Sequence, residues 1–272
     1  MKQLCLLVVI ALLLSGCGGG GSVVAHPEIA AGGSGTGGGT GGGSGTATTT
    51  PGEAQGVYSG TYPLDGITNT FYSIVLPNDM FYAIYGQTPE GISGATNTFD
   101  IWGMMTGQGM SNTGNYKGDI TNYFTDTALP SVLTATYVPG VSLGGTVMLK
   151  VNGFTSAFSA TAPPVSVFDY NAPANLSHIT GTWAGPTTIT IDASGAFTGS
   201  LGNCLFSGTI TPDPNKNFFK VTLTSGAAPC LYPNKTGSGV AIVFSAPDGT
   251  SNTILFAVPI PGGWYFASVA QR

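Results

Sequence analysis

The sequence predicts an all-β protein: two tandem antiparallel β-meander or barrel-like domains that follow a disordered glycine-rich linker. After residue 56, helical periodicity is nearly absent, and short β-rich runs recur about every ten residues between turn signals. Each half of this region contains eight such runs. The first runs also match, since GVYSG at Gly56–Gly60 resembles GTWAG at Gly181–Gly185. We interpret the match as a diverged tandem duplication of an eight-strand unit.

The chain begins with the pattern of a secretory signal peptide, which we assign to residues 1–16. Lys2 supplies a positive charge, and Leu4–Leu14 is an almost unbroken apolar run. The run is shorter than the roughly 20 residues that a membrane-spanning helix needs, so a signal segment is the better interpretation.

The signal ends in Leu14-Ser15-Gly16-Cys17, which resembles the lipobox of bacterial lipoproteins. The resemblance implies that Cys17 is the first mature residue and carries a thioether-linked diacylglycerol and an N-acyl chain such as palmitate. The expected partner is then a membrane, bound through the acyl chains on Cys17. Gly18, where inner-membrane lipoproteins tend to have aspartate, implies the outer membrane of a Gram-negative bacterium. The alternative is an ordinary secretory signal that happens to contain a cysteine.

Residues 17–56 form the predicted linker. They are mostly Gly, Ser, Thr and Ala, and include GGSGTGGGTGGGSGT at Gly32–Thr46. Such a segment has too little apolar surface to offset its ordering entropy, so we expect a flexible coil. Poly-glycine directly after a lipobox also resembles the start of some surface-exposed Gram-negative lipoproteins.

The charge balance excludes one class of partner. Seven basic residues against twelve acidic ones give a formal net charge of −5, which disfavours a nucleic-acid partner on electrostatic grounds. Charged residues are only 7% of the chain, while Gly, Ser, Thr and Asn are abundant. This composition suits an extracytoplasmic β protein, and it leaves the identity of any protein or glycan partner open.

The N-terminal β domain is predicted over residues 57–162. Its eight runs are, in order, VYSGTY, TFYSIVL, MFYAIYG, TFDIWGM, YKGDITNYF, VLTATYV, SLGGTVML and FTSAFSA. A proline-marked stretch follows, and we assign residues 163–177 to the connection between domains.

The C-terminal β domain is predicted over residues 178–272. Thr182-Trp183 forms a short first strand, and TTITI then alternates polar and apolar residues as a half-buried strand does. The remaining six runs are AFTGSL, CLFSGTIT, FFKVTLTS, GVAIVFSA, TILFAVPI and WYFASVA, with turns at DASG, PDPNKN and PDGTSN.

Two cysteines remain in the predicted folded region, because Cys5 lies in the signal and Cys17 is the lipidation candidate. In an exported chain, Cys204 and Cys230 predict a disulfide, which would close a loop of about 26 residues. A metal or redox pair is the rival interpretation. It lacks both CxxC spacing and neighbouring histidines.

Gly181-x-Trp183 on a first strand resembles the G-x-W motif of lipocalin and wider calycin barrels. In those barrels a basic residue near the final strand packs on the tryptophan, and Arg272 stands just after WYFASVAQ here. The resemblance implies a barrel that could carry a small apolar ligand. A unit of about 92 residues is short for a ligand-enclosing barrel, so we expect the interior to be filled by side chains.

Other candidate motifs have simpler interpretations. GVSLG at Gly140–Gly144 fits G-x-S-x-G, but β-like residues follow Ser142, and His178 is the only histidine outside the linker, where His26 lies. DPNKN at Asp213–Asn217 resembles the start of a calcium loop but lacks its later glycine and glutamate. We therefore predict no catalytic residue, no metal site and no cofactor.

Aromatic residues offer a further candidate, a platform on which sugars could stack. In β-rich chains such residues are more often core and cross-strand partners, so we expect packing instead. The residues concerned are Tyr72, Phe81, Tyr82, Tyr85, Trp102 and Phe124.

The function expected from sequence is that of a non-enzymatic, lipid-anchored lipoprotein of the cell envelope, whose β domains serve interaction or structural roles. The alternative is a calycin-like carrier of a small apolar ligand.

Overall fold

A computed structural model describes residues 52–64, 67–87, 99–125, 127–245 and 252–272. It confirms the predicted fold class, because the chain forms two eight-stranded antiparallel sheets in tandem. The predicted signal peptide, Cys17 and most of the predicted linker lie outside the described residues.

The first sheet closes into a barrel, called barrel 1 here. Consecutive strands pair along the sheet, and β1 also pairs with β8, which removes both sheet edges. The strands are β1 (Gly56–Leu64), β2 (Ile67–Val75), β3 (Met80–Gln87), β4 (Asp100–Asn112), β5 (Asn115–Phe124), β6 (Thr127–Val138), β7 (Ser142–Leu149) and β8 (Thr155–Thr161).

Gly60 lies at the seam where β1 meets β8, directly opposite Ala160. A Cβ atom at Gly60 would overlap the Ser159 carbonyl and Ala160, so the two strands approach closely only because no side chain is present. The glycine therefore permits closure of barrel 1.

The second sheet, called barrel 2, is nearly closed. Ala184 and Gln271 form a bridge of two backbone hydrogen bonds, 2.9 and 2.7 Å long, that joins the two ends of the sheet. A 3-10 helix at Leu176–His178 precedes the sheet. The strands are β9 (Gly181–Trp183), β10 (Thr188–Ile191), β11 (Ala196–Leu201), β12 (Cys204–Pro212), β13 (Phe219–Ser225), β14 (Thr236–Ser245), β15 (Asn252–Ile260) and β16 (Trp264–Gln271).

The two barrels open with the same local structure. The Tyr58 hydroxyl donates to the carbonyl of Ala54, four residues earlier, at 2.9 Å. The Trp183 indole N–H likewise donates to the carbonyl of Ile179 at 2.7 Å. Both aromatic side chains are fully buried, which confirms the expectation that each one packs at the base of its own unit. This shared geometry supports the interpretation of the two units as a duplication.

The base of barrel 1 is covered by Gly52–Gln55, which belong to the predicted linker. Ala54 is fully buried in the barrel interior, and its N–H donates to the Ser111 hydroxyl at 3.1 Å. Glu53 accepts hydrogen bonds from the Tyr137 hydroxyl and the Thr113 N–H. These contacts extend the folded unit several residues before the boundary that composition alone suggests.

The outer faces of the two barrels pack together. One continuous apolar cluster joins β2–β4 of barrel 1, for example Ile74 and Ile84, to β14–β16 of barrel 2, for example Ile242 and Leu255. One small cavity of about 20 Å³ lies between these faces. A hydrogen bond also joins the two barrels, because the Tyr265 hydroxyl of barrel 2 donates to the carbonyl of Trp102 in barrel 1 at 3.4 Å.

Buried tyrosines make the stability of the fold sensitive to alkali. Burial raises the pKa of Tyr58 from 10.0 to about 12, and burial is also the main cause of the raised pKa values of Tyr62 and Tyr85. A phenol whose pKa is raised by folding contributes full stability below its unfolded pKa of about 10 and loses that contribution as the pH rises further.

We therefore expect the free energy of unfolding to fall steeply above about pH 10. The buried phenols should ionise together with unfolding, which ultraviolet absorbance of phenolate and circular dichroism can follow in parallel. Tyr58→Phe should make the fall shallower. Ionisation of all tyrosines at their ordinary pKa while the fold persists would contradict this expectation.

No helix in the described ranges is long and apolar enough to cross a bilayer.

Candidate functional site

Arg272 packs on Trp183 at the base of barrel 2. The guanidinium carbon lies 4.5 Å from the centre of the Trp183 ring, which is the geometry of a cation–π contact. The same guanidinium donates to the backbone carbonyls of Thr180 and His178. The calycin resemblance predicted that a basic residue packs on the tryptophan, and Arg272 does contact Trp183 in this way. The hydrogen bonds of Arg272 also join the end of the last strand to the residues that precede the first strand of barrel 2.

The opposite end of barrel 2 is crossed by Gly226–Asn234, called the cap segment here. The predicted disulfide is present: Cys204 of β12 is bonded to Cys230 of this segment. Tyr232 stacks on Trp264 of β16, with ring centroids 3.4 Å apart. The Ser225 hydroxyl donates to the carbonyl of Tyr232. The disulfide and the ring stack therefore hold the cap segment on two separated strands.

Replacing both bonded cysteines, as in Cys204→Ser with Cys230→Ser, should lower the free energy of unfolding by about 3 kcal/mol in the chain-entropy description. The Tyr232–Trp264 stack should also loosen, which near-ultraviolet circular dichroism reports. Reductant should lower the stability of the wild-type protein and leave the double variant unaffected. Equal stability of the two proteins without reductant would contradict a structural role for the bond.

The interior of barrel 2 is filled by its own side chains. Aromatic rings meet there directly, with Phe206 and Phe266 centroids 4.9 Å apart. The interior of barrel 1 is similarly occupied by Phe81, Tyr85 and Tyr116. The sequence expectation of filled interiors agrees with this packing. The buried members of the barrel 2 cluster include Trp183, Ile189, Ile191, Phe197, Phe206, Phe219, Val221, Leu223, Phe256 and Val258.

The candidate catalytic serine lies in a strand. Ser142 begins β7, where it pairs with Val138 and Thr161, and no helix follows it. The strand-to-helix turn of a serine hydrolase is therefore missing at this position. His178 is exposed at the end of the 3-10 helix, on the segment that leads into barrel 2.

The candidate calcium loop is a hairpin turn. The Asp213 carboxylate accepts from the backbone N–H groups of Asn215 and Lys216, and it lies 3.5 Å from the Lys220 ammonium. Its oxygens are thus engaged by the turn itself. Within the residues that the structure describes, no group of three or more His, Cys, Asp or Glu could hold a metal ion.

The aromatic residues considered as a platform are packed. Phe81 and Tyr85 point into barrel 1, and Trp102 and Phe124 pack against the same core with part of their surface exposed. Tyr72 and Tyr82 belong to the cluster between the barrels.

The outer face of barrel 2 carries a regular row of hydroxyl groups that the sequence analysis did not single out. Six side chains lie opposite one another on six neighbouring strands, β9 to β14, and are called the hydroxyl row here. Its members are Thr182, Thr190, Thr198, Ser207, Thr224 and Thr236. The repeated threonine and serine spacing in TIT, TGS, SGT and TLT was the signal that could have revealed it.

Comparisons of the chain with models of protein families, with curated proteins and with solved structures found no match. The functional argument therefore depends on the chain's own residues.

Proposed function

We propose that this protein is a lipid-anchored lipoprotein of the cell envelope, in the outer membrane of a Gram-negative bacterium, which presents two fused β-barrels as a non-enzymatic interaction module. The membrane is its first partner, through acyl chains on Cys17, and nucleic acid is not a partner. The lipid anchor is supported by the Leu14–Cys17 motif and the poly-glycine that follows it.

One observation carries the interaction role: both barrel interiors are occupied by the protein's own side chains. A carrier needs an enclosed space of several hundred cubic ångströms for its ligand. Here the Phe266 ring contacts both Phe206 and Phe256 inside barrel 2, and the cap segment covers one of its ends. The outer faces are therefore the surfaces on which we place binding, in preference to a calycin-like interior.

The anchor is tested by Cys17→Ser. We expect this variant to leave the membrane fraction, because removal of the acyl chains removes the hydrophobic free energy that holds the protein there. Cys5→Ser is the matched control, since Cys5 lies in the predicted signal and should leave fractionation unchanged. Mass spectrometry of the N-terminal peptide should find the lipid on Cys17 in the control only. Retention of Cys17→Ser in membranes after a high-salt wash would refute the proposal.

A further inference from the structure

The hydroxyl row runs through an open groove on the outside of barrel 2. The groove has a volume of about 620 Å³ and crosses β10–β13. Four members of the row line it, namely Thr190, Thr198, Ser207 and Thr224. Thr188 and Ser200 add two further hydroxyls, and the exposed side chain of Leu205 adds an apolar wall. Its volume lies in the range of small-molecule sites in proteins.

From this geometry we propose that the groove binds a neutral, linear oligosaccharide, whose chain lies along the hydroxyl row. The inference is independent of the lipid anchor and names a partner class for one outer face.

The charge of the groove selects this class of ligand. Every residue that the structure places along the groove is uncharged, although the chain carries a net negative charge. A polyanion would find no cation in the groove, and a cationic ligand would find no carboxylate. A neutral ligand matches such a lining without leaving a buried charge unpaired.

The chemistry of the hydroxyls points to sugars in particular. A serine or threonine hydroxyl both donates and accepts a hydrogen bond, as each sugar hydroxyl does. Thr198 and Ser207 lie in the middle of the row, and their hydroxyls bond to no other group of the described chain. Toward the ends, hydroxyls already pair with each other, Thr182 with Thr190 at 3.2 Å and Thr224 with Thr236 at 2.8 Å. The central hydroxyls are therefore available to a ligand.

The regular spacing of the row favours a polymer. Neighbouring strands lie about 4.8 Å apart, so successive hydroxyls repeat at this interval across the sheet. A chain of linked sugars presents hydroxyls at a comparable interval and can bond several members of the row at once. Each bond alone adds little net affinity in water, so simultaneous contacts are required. The stiff β-branched threonines also lose little side-chain entropy on binding.

The test titrates cellohexaose, maltohexaose and chitohexaose separately into isotope-labelled full-length protein carrying Cys17→Ser. Nuclear magnetic resonance should show shifts of backbone amides on β10–β13 for at least one of these sugars. The pair Thr198→Val and Ser207→Ala should weaken that binding about tenfold, because each substitution removes a hydroxyl and leaves the strand geometry unchanged. Ser207→Trp should abolish it by filling the groove.

The matched control is Thr209→Val with Thr222→Val. These residues are also paired across β12 and β13 on the outer face, but they lie outside the groove. The control should bind as the parent protein does. The proposal is overturned if none of the three sugars shifts amides of β10–β13, if the control weakens binding equally, or if Ser207→Trp binds normally. Unchanged amide spectra of the variants elsewhere in the chain verify that the fold is intact.

Discussion

Trp183→Ala should lower the free energy of unfolding by about 3–5 kcal/mol, the loss expected for truncation of a large buried aromatic side chain. The indole is fully buried, its N–H donates to Ile179, and its ring face contacts the Arg272 guanidinium. Truncation therefore removes the packing, the hydrogen bond and the cation–π contact together. Denaturant unfolding followed by circular dichroism measures the effect.

Two milder variants divide this loss into parts. Trp183→Phe keeps a ring against Arg272 and loses the indole N–H, so we expect a smaller decrease than for alanine. Arg272→Ala should cost about 1 kcal/mol, because it removes the cation and leaves the ring in place. If Trp183→Ala were no more destabilising than Arg272→Ala, the base of barrel 2 would not depend on the buried tryptophan.

Asp79→Ala should lower the free energy of unfolding by about 3–5 kcal/mol, since it leaves several buried donors without an acceptor. Asp79 is 3% exposed. One carboxylate oxygen accepts from the Gly52 N–H and the Ser111 hydroxyl, and the other accepts from the Ser111 N–H. Its backbone φ of +62° also disfavours alanine. The substitution should release Gly52–Gln55 from the base of barrel 1, which hydrogen exchange at Ala54 would detect.

Asp79→Asn separates hydrogen bonding from backbone strain. Asparagine tolerates positive φ. Its amide NH₂ group replaces one carboxylate oxygen and cannot accept a hydrogen bond. We therefore expect a loss of unfolding free energy smaller than that of Asp79→Ala. Asp192→Asn is the matched control. Asp192 also accepts three hydrogen bonds in a turn, from Ser194 and Ala196, but it is exposed to water. The control should leave stability nearly unchanged. Equal effects at Asp79 and Asp192 would contradict the role of burial.

Several strands of this protein could be predicted because exposed and buried residues alternate along them. In β10 the threonines of TITI are exposed and the isoleucines are buried. Strand ends were harder to predict. β4 continues to Asn112 through TGQGMSN, whose glycines and polar residues have low strand propensity, because β5 supplies a long pairing partner. Tertiary pairing extends this strand beyond its local preference.

Strands that lie between the two barrels have a sequence pattern different from the alternation of polar and apolar residues. β3 contains FYAIYG and β15 contains ILFAV, and in both strands consecutive residues are buried. Consecutive apolar residues indicate a strand covered on both faces. From the sequence one can infer that both faces of these strands are buried. Only the assembled structure shows that the outer face of each barrel is buried by the other barrel.

The two structural sites differ in how far sequence could predict them. Two cysteines in a β domain that the sequence predicts to be exported leave a single possible pairing, so the Cys204–Cys230 bond followed from counting. The hydroxyl row depends instead on the register of five strand pairs. A shift of one residue in any pair would turn its hydroxyls to the other face. That register is set by packing across the whole barrel, so it cannot be predicted from the spacing of residues along one strand.

The interface between the barrels is asymmetric, and this asymmetry bears on how further copies of such a unit could associate. The second to fourth strands of one barrel meet the sixth to eighth strands of the other, so two different patches are in contact. Copies that carried both patches could add head to tail without end. The corresponding free strands carry mixed outer faces instead. In barrel 1, Thr134, Thr136 and Ser159 lie on the same strands as the exposed side chains of Val138 and Met148 or on a neighbouring strand, and in barrel 2 the hydroxyls of the groove lie beside the exposed Leu205. The hydroxyl groups interrupt the apolar surface that further head-to-tail packing would need, as the polar faces of terminal repeats do in solenoid proteins.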